Sequence, residues 1–165
     1  MRRLLPLVLL STLFLGACGF HLRNALALPP DLGPVRVVAA DPYSPLIDPV
    51  AMALTRAGGE VVPAATPGVA TLELMSERWA STPTAIDEVG RAQEYSLRYA
   101  VVFRLRRADG RDLVPQQAIE LSRDYISSPS ELVGTDSERE LLAREMRREM
   151  VASIVRRIDG ASRQP

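Results

Sequence analysis

Residues able to do chemistry are few in this chain and poorly placed for one another. One cysteine, Cys18, and one histidine, His21, stand three positions apart near the start of 165 residues; otherwise the chain offers hydroxyls and carboxylates. A serine becomes a nucleophile only beside a base, and no Gly-Xaa-Ser-Xaa-Gly elbow or Ser-Xaa-Xaa-Lys pattern occurs. Asp87-Glu88 and the acids near the C-terminus are the available carboxylate pairs, but their surroundings are polar, which favours solvation over acid–base work. One histidine, no second thiol and carboxylates without calcium-loop spacing leave no metal site. The expectation is a protein that is not an enzyme, holds no metal and needs no cofactor beyond a covalent lipid.

That lipid is the chemistry open to Cys18. Met1-Arg2-Arg3 makes a positive start, Leu4 to Leu15 a mostly apolar run, and Leu15-Gly16-Ala17 places small residues directly before the thiol, as in a cleaved secretory leader. The run is about a dozen residues against the roughly 20 that a spanning helix needs, and Pro6 interrupts it. The position of the cysteine matches a bacterial lipobox, in which the thiol is acylated before the bond ahead of it is cut. Residues 1–17 are therefore expected to be a signal peptide, and Cys18 the lipidated first residue of the mature chain. At roughly 0.8 kcal/mol per buried methylene, several acyl chains anchor permanently. Gly19 stands where an aspartate would favour retention in the inner membrane. The expected location is the outer membrane of a Gram-negative bacterium, on a periplasm-facing anchor.

The remaining elements supply a body for that anchor. Residues 18–33, with Pro29, Pro30 and Gly33, look like a lipidated tether; 34–160 reads as a single α+β domain, and 161–165 as a polar tail. Val35, Val37 and Ala39 mark a strand at 34–40. Pro45 opens a helix carrying Leu46, Val50, Ala53, Leu54 and Ala57, which ends at Gly58-Gly59. A second strand spans 68–80, with Leu72 and Leu74 opposite Glu73, Met75, Glu77 and Trp79. The strictest pattern follows: Tyr95, Leu97, Tyr99, Val101, Phe103 and Leu105 alternate with polar or small residues, so one face of that strand is buried. Ala108-Asp109-Gly110-Arg111 turns the chain into a fourth strand lined by Leu113, Ile119, Leu121 and Tyr125, which either starts beyond Pro115 or lies at an edge there. Ser137 and Glu140 form a capping box for a last helix, whose Leu142, Met146, Met150, Ile154 and Ile158 repeat every fourth residue up to Gly160. Its outer face offers the pairs Glu140–Arg144 and Glu145–Arg148. Two amphipathic helices cover one face of a four-stranded mixed or antiparallel sheet, so the fold expected is a two-layer α+β sandwich of order β-α-β-β-β-α.

Composition agrees with one globular domain: 47% hydrophobic and 24% charged residues, with 20 basic and 20 acidic side chains. A balance of zero gives no field to draw in nucleic acid. Loss of Arg2 and Arg3 with the leader leaves 18 against 20, a mature charge of −2. All 20 basic residues are arginine. Arg98, Arg104 and Arg106 share the non-core face of the third strand, where their forks suit carboxylates or phosphates; the plainer reading is a solvated sheet face.

Several segments together resemble one family. Cys18-Gly19-Phe20-His21-Leu22-Arg23 after the leader and Gly90-Arg91-Ala92-Gln93-Glu94-Tyr95 opening the third strand are similar to the LptE family of lipopolysaccharide-assembly lipoproteins. The likeness continues through Gly110-Arg111-Asp112, through Arg123-Asp124-Tyr125 with Pro129 downstream, and into Glu138 to Ile158 with its Arg-Glu-Met segment. The resemblance implies a sandwich lodged as a plug inside an LptD-type β-barrel, in a 1:1 complex, assisting that barrel's assembly and the insertion of lipopolysaccharide into the outer leaflet. It makes Arg91, Arg98, Arg104 and Arg106 candidate contacts to the barrel or to lipopolysaccharide, and His21 and Arg23 candidate contacts at the barrel rim. It also brings the Ser81–Arg91 loop and the Ser127–Asp136 segment close to sugar-lipid and barrel surfaces. Where the family carries basic residues at those ends, this chain has Arg91 beside Asp87 and Glu88, and no basic group in Gly134-Thr135-Asp136. The alternative is a free-standing lipid carrier, recognisable by a deep apolar pocket of several hundred Å³, or a scaffold lipoprotein of another outer-membrane machine.

Overall fold

The computed structural model describes residues 28, 29, 31–126 and 132–163, with the side chains from 137 onward in the last segment. The leader, Cys18, His21, Arg23 and Pro129 lie outside the described residues, as do the side chains of Gly134-Thr135-Asp136. The elements are β1 (Val35–Ala39), α1 (Ile47–Arg56), β2 (Ala70–Ile86), β3 (Ala92–Arg106), β4 (Asp112–Ile126) and α2 (Leu132–Ser162). The sheet order is β1-β2-β3-β4. β1 runs parallel to β2 across the α1 crossover, and the other pairs are antiparallel. This is the expected β-α-β-β-β-α sandwich with a mixed sheet.

β3 anchors the core because its alternation is unbroken. Tyr99, Val101, Phe103 and Leu105 are fully buried, and Leu97 nearly so. Val35, Val37, Leu72 and Leu74 extend that face across β1 and β2, while Val50 and Leu54 of α1 and Met146, Met150, Ile154 and Ile158 of α2 close over it in one cluster. In α2 the fourfold spacing drifts slowly around the helix, so one narrow stripe stays on the sheet over several turns.

Two bulges revise the face assignments made by simple alternation. In β2, Leu74 pairs with Phe103 but Ser76 pairs with Val102, so one residue is inserted at Met75. The phase reverses there, and Glu77 and Trp79 join the face of Leu72 and Leu74 instead of opposing it. In β4, Phe103 pairs with Gln117 but Leu105 with Val114; the irregularity falls at Pro115, and Val114 is buried where Leu113 was expected. Pro115 is exposed on the edge strand, where a missing N–H costs no ladder bond.

Element ends differ as well. The expected Ser81–Arg91 loop is mostly sheet: β2 and β3 continue as a long hairpin until Asp87–Arg91. Both tight turns have one construction. Asp87 N–H donates to the Arg91 carbonyl and Gly90 N–H to that of Asp87, as Arg107, Arg111 and Gly110 do in the next hairpin. Gly90 and Gly110 take φ +80° and +86°, the left-handed position such turns require. α1 starts at Ile47, after Pro45, and closes with Gly58 N–H on the Thr55 carbonyl and Gly59 N–H on that of Leu54. α2 begins at Leu132, so the Ser137 capping box lies inside the helix, and it runs through Gly160 to Ser162. An ion pair from Arg163 to Asp159 at 2.9 Å and the Ser162 hydroxyl on the Ile158 carbonyl support that last turn. At the other end Leu32 is buried and Leu28 packs on the core, so the last part of the expected tether is docked to the body.

Candidate functional site

The four candidate arginines occupy three separate places, each set by the register of β3. Arg104 faces Glu73 across the β2–β3 ladder. Its Nη2 lies 2.7 Å from Glu73 Oε2, and Arg106 Nη2 is 3.0 Å from Oε1 of the same carboxylate. Asp112 lies 3.9 Å from Arg106 Nε. Two guanidiniums thus share one close carboxylate, with Asp112 balancing the second positive charge at longer range. Arg98 stands about 20 Å along the strand, 3.5 Å from Glu120, with both side chains more than half exposed. Arg91 lies at the opposite hairpin tip, on the order of 50 Å from Arg106 along the extended chain.

Arg91 is part of a turn staple. Asp87 Oδ1 accepts the N–H groups of Val89 and Arg91, while Oδ2 accepts Arg91 Nε at 2.8 Å and Gln93 Nε2 at 3.2 Å. The backbone bond from Arg91, aided by the others, holds this carboxyl below its ordinary range. Asp87 is therefore engaged structurally rather than forming an acid–base pair with Glu88. On the helix, Glu140–Arg144 forms at 2.9 Å; the expected Glu145–Arg148 pair is absent among the described ion pairs. Exposed pairs of this kind are each worth about 0–1 kcal/mol, so a partner with better geometry can recruit their guanidiniums at little cost.

A polar joint beneath the helices escaped the sequence reading, because it exists only through the Met75 bulge. Glu77 turns inward and accepts hydrogen bonds from Tyr99 Oη at 2.7 Å and Ser44 Oγ at 2.6 Å. Ser44 Oγ in turn accepts the Leu46 N–H, tying the entrance of α1 to β2. Trp79 stacks on Tyr99 with centroids 3.8 Å apart, and the Arg147 guanidinium lies 5.5 Å above the Trp79 ring. Burial first, then the hydrogen bond and charge of Glu77, pushes the Tyr99 phenol well above its ordinary value, which keeps it protonated as a donor. The one sequence signal for this joint was a Glu and a Trp two residues apart, in phase with each other but out of phase with Leu72 and Leu74.

Among the described residues no group of three His, Cys, Asp or Glu side chains is placed to hold a metal ion, and no helix is long and apolar enough to cross a membrane. The far hairpin tip instead exposes Ile86, Val89 and Ile126, at 69%, 72% and 65%, around Arg91. Tyr95 and Tyr125 stack just behind it, with Ser81 Oγ 3.1 Å from the Tyr125 hydroxyl.

Fold and surface together define a small α+β sandwich that offers faces and edges, with about half of its described arginines paired to carboxylates. The chain belongs to the LptE family, described as lipopolysaccharide-assembly, whose family model matches residues 32–158. Among relatives, it is 27% identical to the LPS-assembly lipoprotein LptE of Photorhabdus laumondii over 94% of this chain and 85% of that one. The protein of the same name from Pectobacterium atrosepticum is also 27% identical, with the same coverage. Among solved structures, the rare lipoprotein B from Shewanella oneidensis superposes with TM-score 0.64 at 26% identity, covering 75% of this chain and 92% of that one. A lipoprotein B from Nitrosomonas europaea gives TM-score 0.70 at 24% identity over 84% and 88%, a likeness of fold.

Proposed function

We propose that this chain is a non-enzymatic outer-membrane lipoprotein, anchored through lipid on Cys18, that plugs an LptD-type barrel, assists its assembly and so serves insertion of lipopolysaccharide into the outer leaflet. The observation that carries the reading is the match of the LptE family model to nearly the whole described body. A rigid sandwich with a tether at one end and arginines along its open sheet face, Arg98 only loosely paired, suits the wet lumen of a barrel. Arg98, Arg104 and Arg106 would meet carboxylates of the barrel wall or phosphates, Arg91 would act at the exposed tip, and His21 and Arg23 would lie near the rim. Pull-down of the tagged protein from native membranes is expected to recover a large β-barrel in 1:1 ratio. Recovery of lipid alone, or of different machinery, favours the carrier or scaffold instead. A groove of about 570 Å³ between α1 and α2 has the volume a carrier needs, but it is open to solvent where a carrier would enclose its ligand.

A further inference from the structure

The groove between α1 and α2 is apolar along its floor, where Pro49, Met52, Ala53, Val151 and Ala152 meet, and Met52 is 52% exposed there. Its charged lining residues are Arg56, Arg147 and Arg148. Nine other arginines, Arg91 and Arg104 among them, sit within 4 Å of a described carboxylate. These three have none among the described residues, as is also true of Arg36, Arg78, Arg139, Arg156 and Arg157, but these three converge on one apolar groove. Arg147 also carries the single buried side-chain polar atom without a hydrogen-bond partner among the described residues, its Nε. That nitrogen keeps its hydrogen-bonding capacity free for water or for a partner's acceptor, while the guanidinium plane rests on Trp79.

The cations stand at opposite ends. Arg147 borders Ser44 and Pro45 at the entrance of α1, with Arg148 beside it in sequence, whereas Arg56 is the last residue of that 10-residue helix. At 1.5 Å per residue the two ends are about 15 Å apart. We propose that this groove is the docking site for a segment of a partner protein with an acid–apolar–acid pattern. Its aliphatic side chains lie on the Ala53–Ala152 floor, one carboxylate meets Arg147 and Arg148, and a second meets Arg56. About ten residues of helix, or five of extended chain, separate two such acids. An amphipathic segment in an apolar groove is a common mode of recognition. A single-headed acyl chain would satisfy the cations at one end only and leave its tail open to water.

The test uses the full-length lipidated protein in the membranes of its own bacterium, with the photo-crosslinking residue p-benzoylphenylalanine replacing Met52. Fragment mass spectrometry of the product should yield one partner segment in which Asp or Glu flank aliphatic residues. Arg56→Gln and Arg148→Gln, which leave the Arg147–Trp79 stack intact, should each lower the crosslink about fivefold, and Arg→Lys should recover part of it. Crosslinking only to lipid or to a second copy, a partner segment without acids, or unchanged yield in both Gln variants would overturn the proposal. A barrel that co-purifies while this crosslink fails would defeat the groove and leave the proposed function standing. An acid-flanked segment captured at Met52 from cells in which no barrel co-purifies would do the reverse.

Discussion

Arginine and its carboxylates govern this molecule at the scale of single residues, and two predictions belong there. Tyr99 donates to Glu77 from a fully buried position, so Tyr99→Phe leaves a half-buried carboxylate oxygen without its donor at almost unchanged volume. The expected loss is about 1–3 kcal/mol, the cost of an unsatisfied group, measured as a lower urea midpoint at constant slope. Asp87 works in the opposite sense, through pH. Its folded carboxyl titrates below the ordinary 3.8 because backbone and side-chain donors hold the charged form. Its contribution is thus fully present above the unfolded value and lost as pH falls through the folded one. Asp87→Asn should lower the melting temperature at neutral pH, and the gap to the native chain should close as pH drops below the carboxylate range. A gap that persists under acid would mean that the charge of Asp87 does not hold the turn.

Elements show where local pattern sufficed and where it failed. The alternation of β3 and the fourfold stripe of α2 were legible because each buries one uninterrupted face. Phe103→Ala is accordingly expected to cost about 3–5 kcal/mol, read from denaturant unfolding, and an unchanged midpoint would reverse the assignment of faces. The bulges at Met75 and Pro115 were not legible, since an inserted residue is defined by its neighbour's register and not by its own side chain. The candidate site divided in the same way: period two put Arg98, Arg104 and Arg106 on one face, but only cross-strand pairing revealed that Glu73 holds two of them. Gly160 misled for another reason. Glycine usually stops a helix, yet the Asp159–Arg163 pair and the packing of Ala161 on the core carry this helix past it. A methyl group there meets nothing within 4 Å, so Gly160→Ala should stabilise the protein by about 0.5–1 kcal/mol. A fall in melting temperature would show that the last turn is not helical.

For the whole molecule the open relation is between the body and the anchor proposed at Cys18. Among the described residues Leu28 and Leu32 already pack on the core, and the expectation is that folding does not depend on Cys18. Residues 19–165 secreted behind a leader that is cleaved without lipidation should therefore melt within about 1 °C of the lipidated protein, inside the roughly 2–4 °C shift caused by losing 1 kcal/mol. Attachment is a separate matter. If lipid were the only link, the unlipidated protein would leave the membrane fraction completely, because no described helix can span a bilayer. A body lodged in a barrel has a second link through its sheet face and hairpin tip, which lipid removal leaves untouched. The expected outcome is retention in the outer-membrane fraction of cells that make the barrel and release in cells depleted of it, followed by immunoblotting. Release from both would mean that the acyl chains alone hold the protein, and the plug reading would fail even with the family assignment intact.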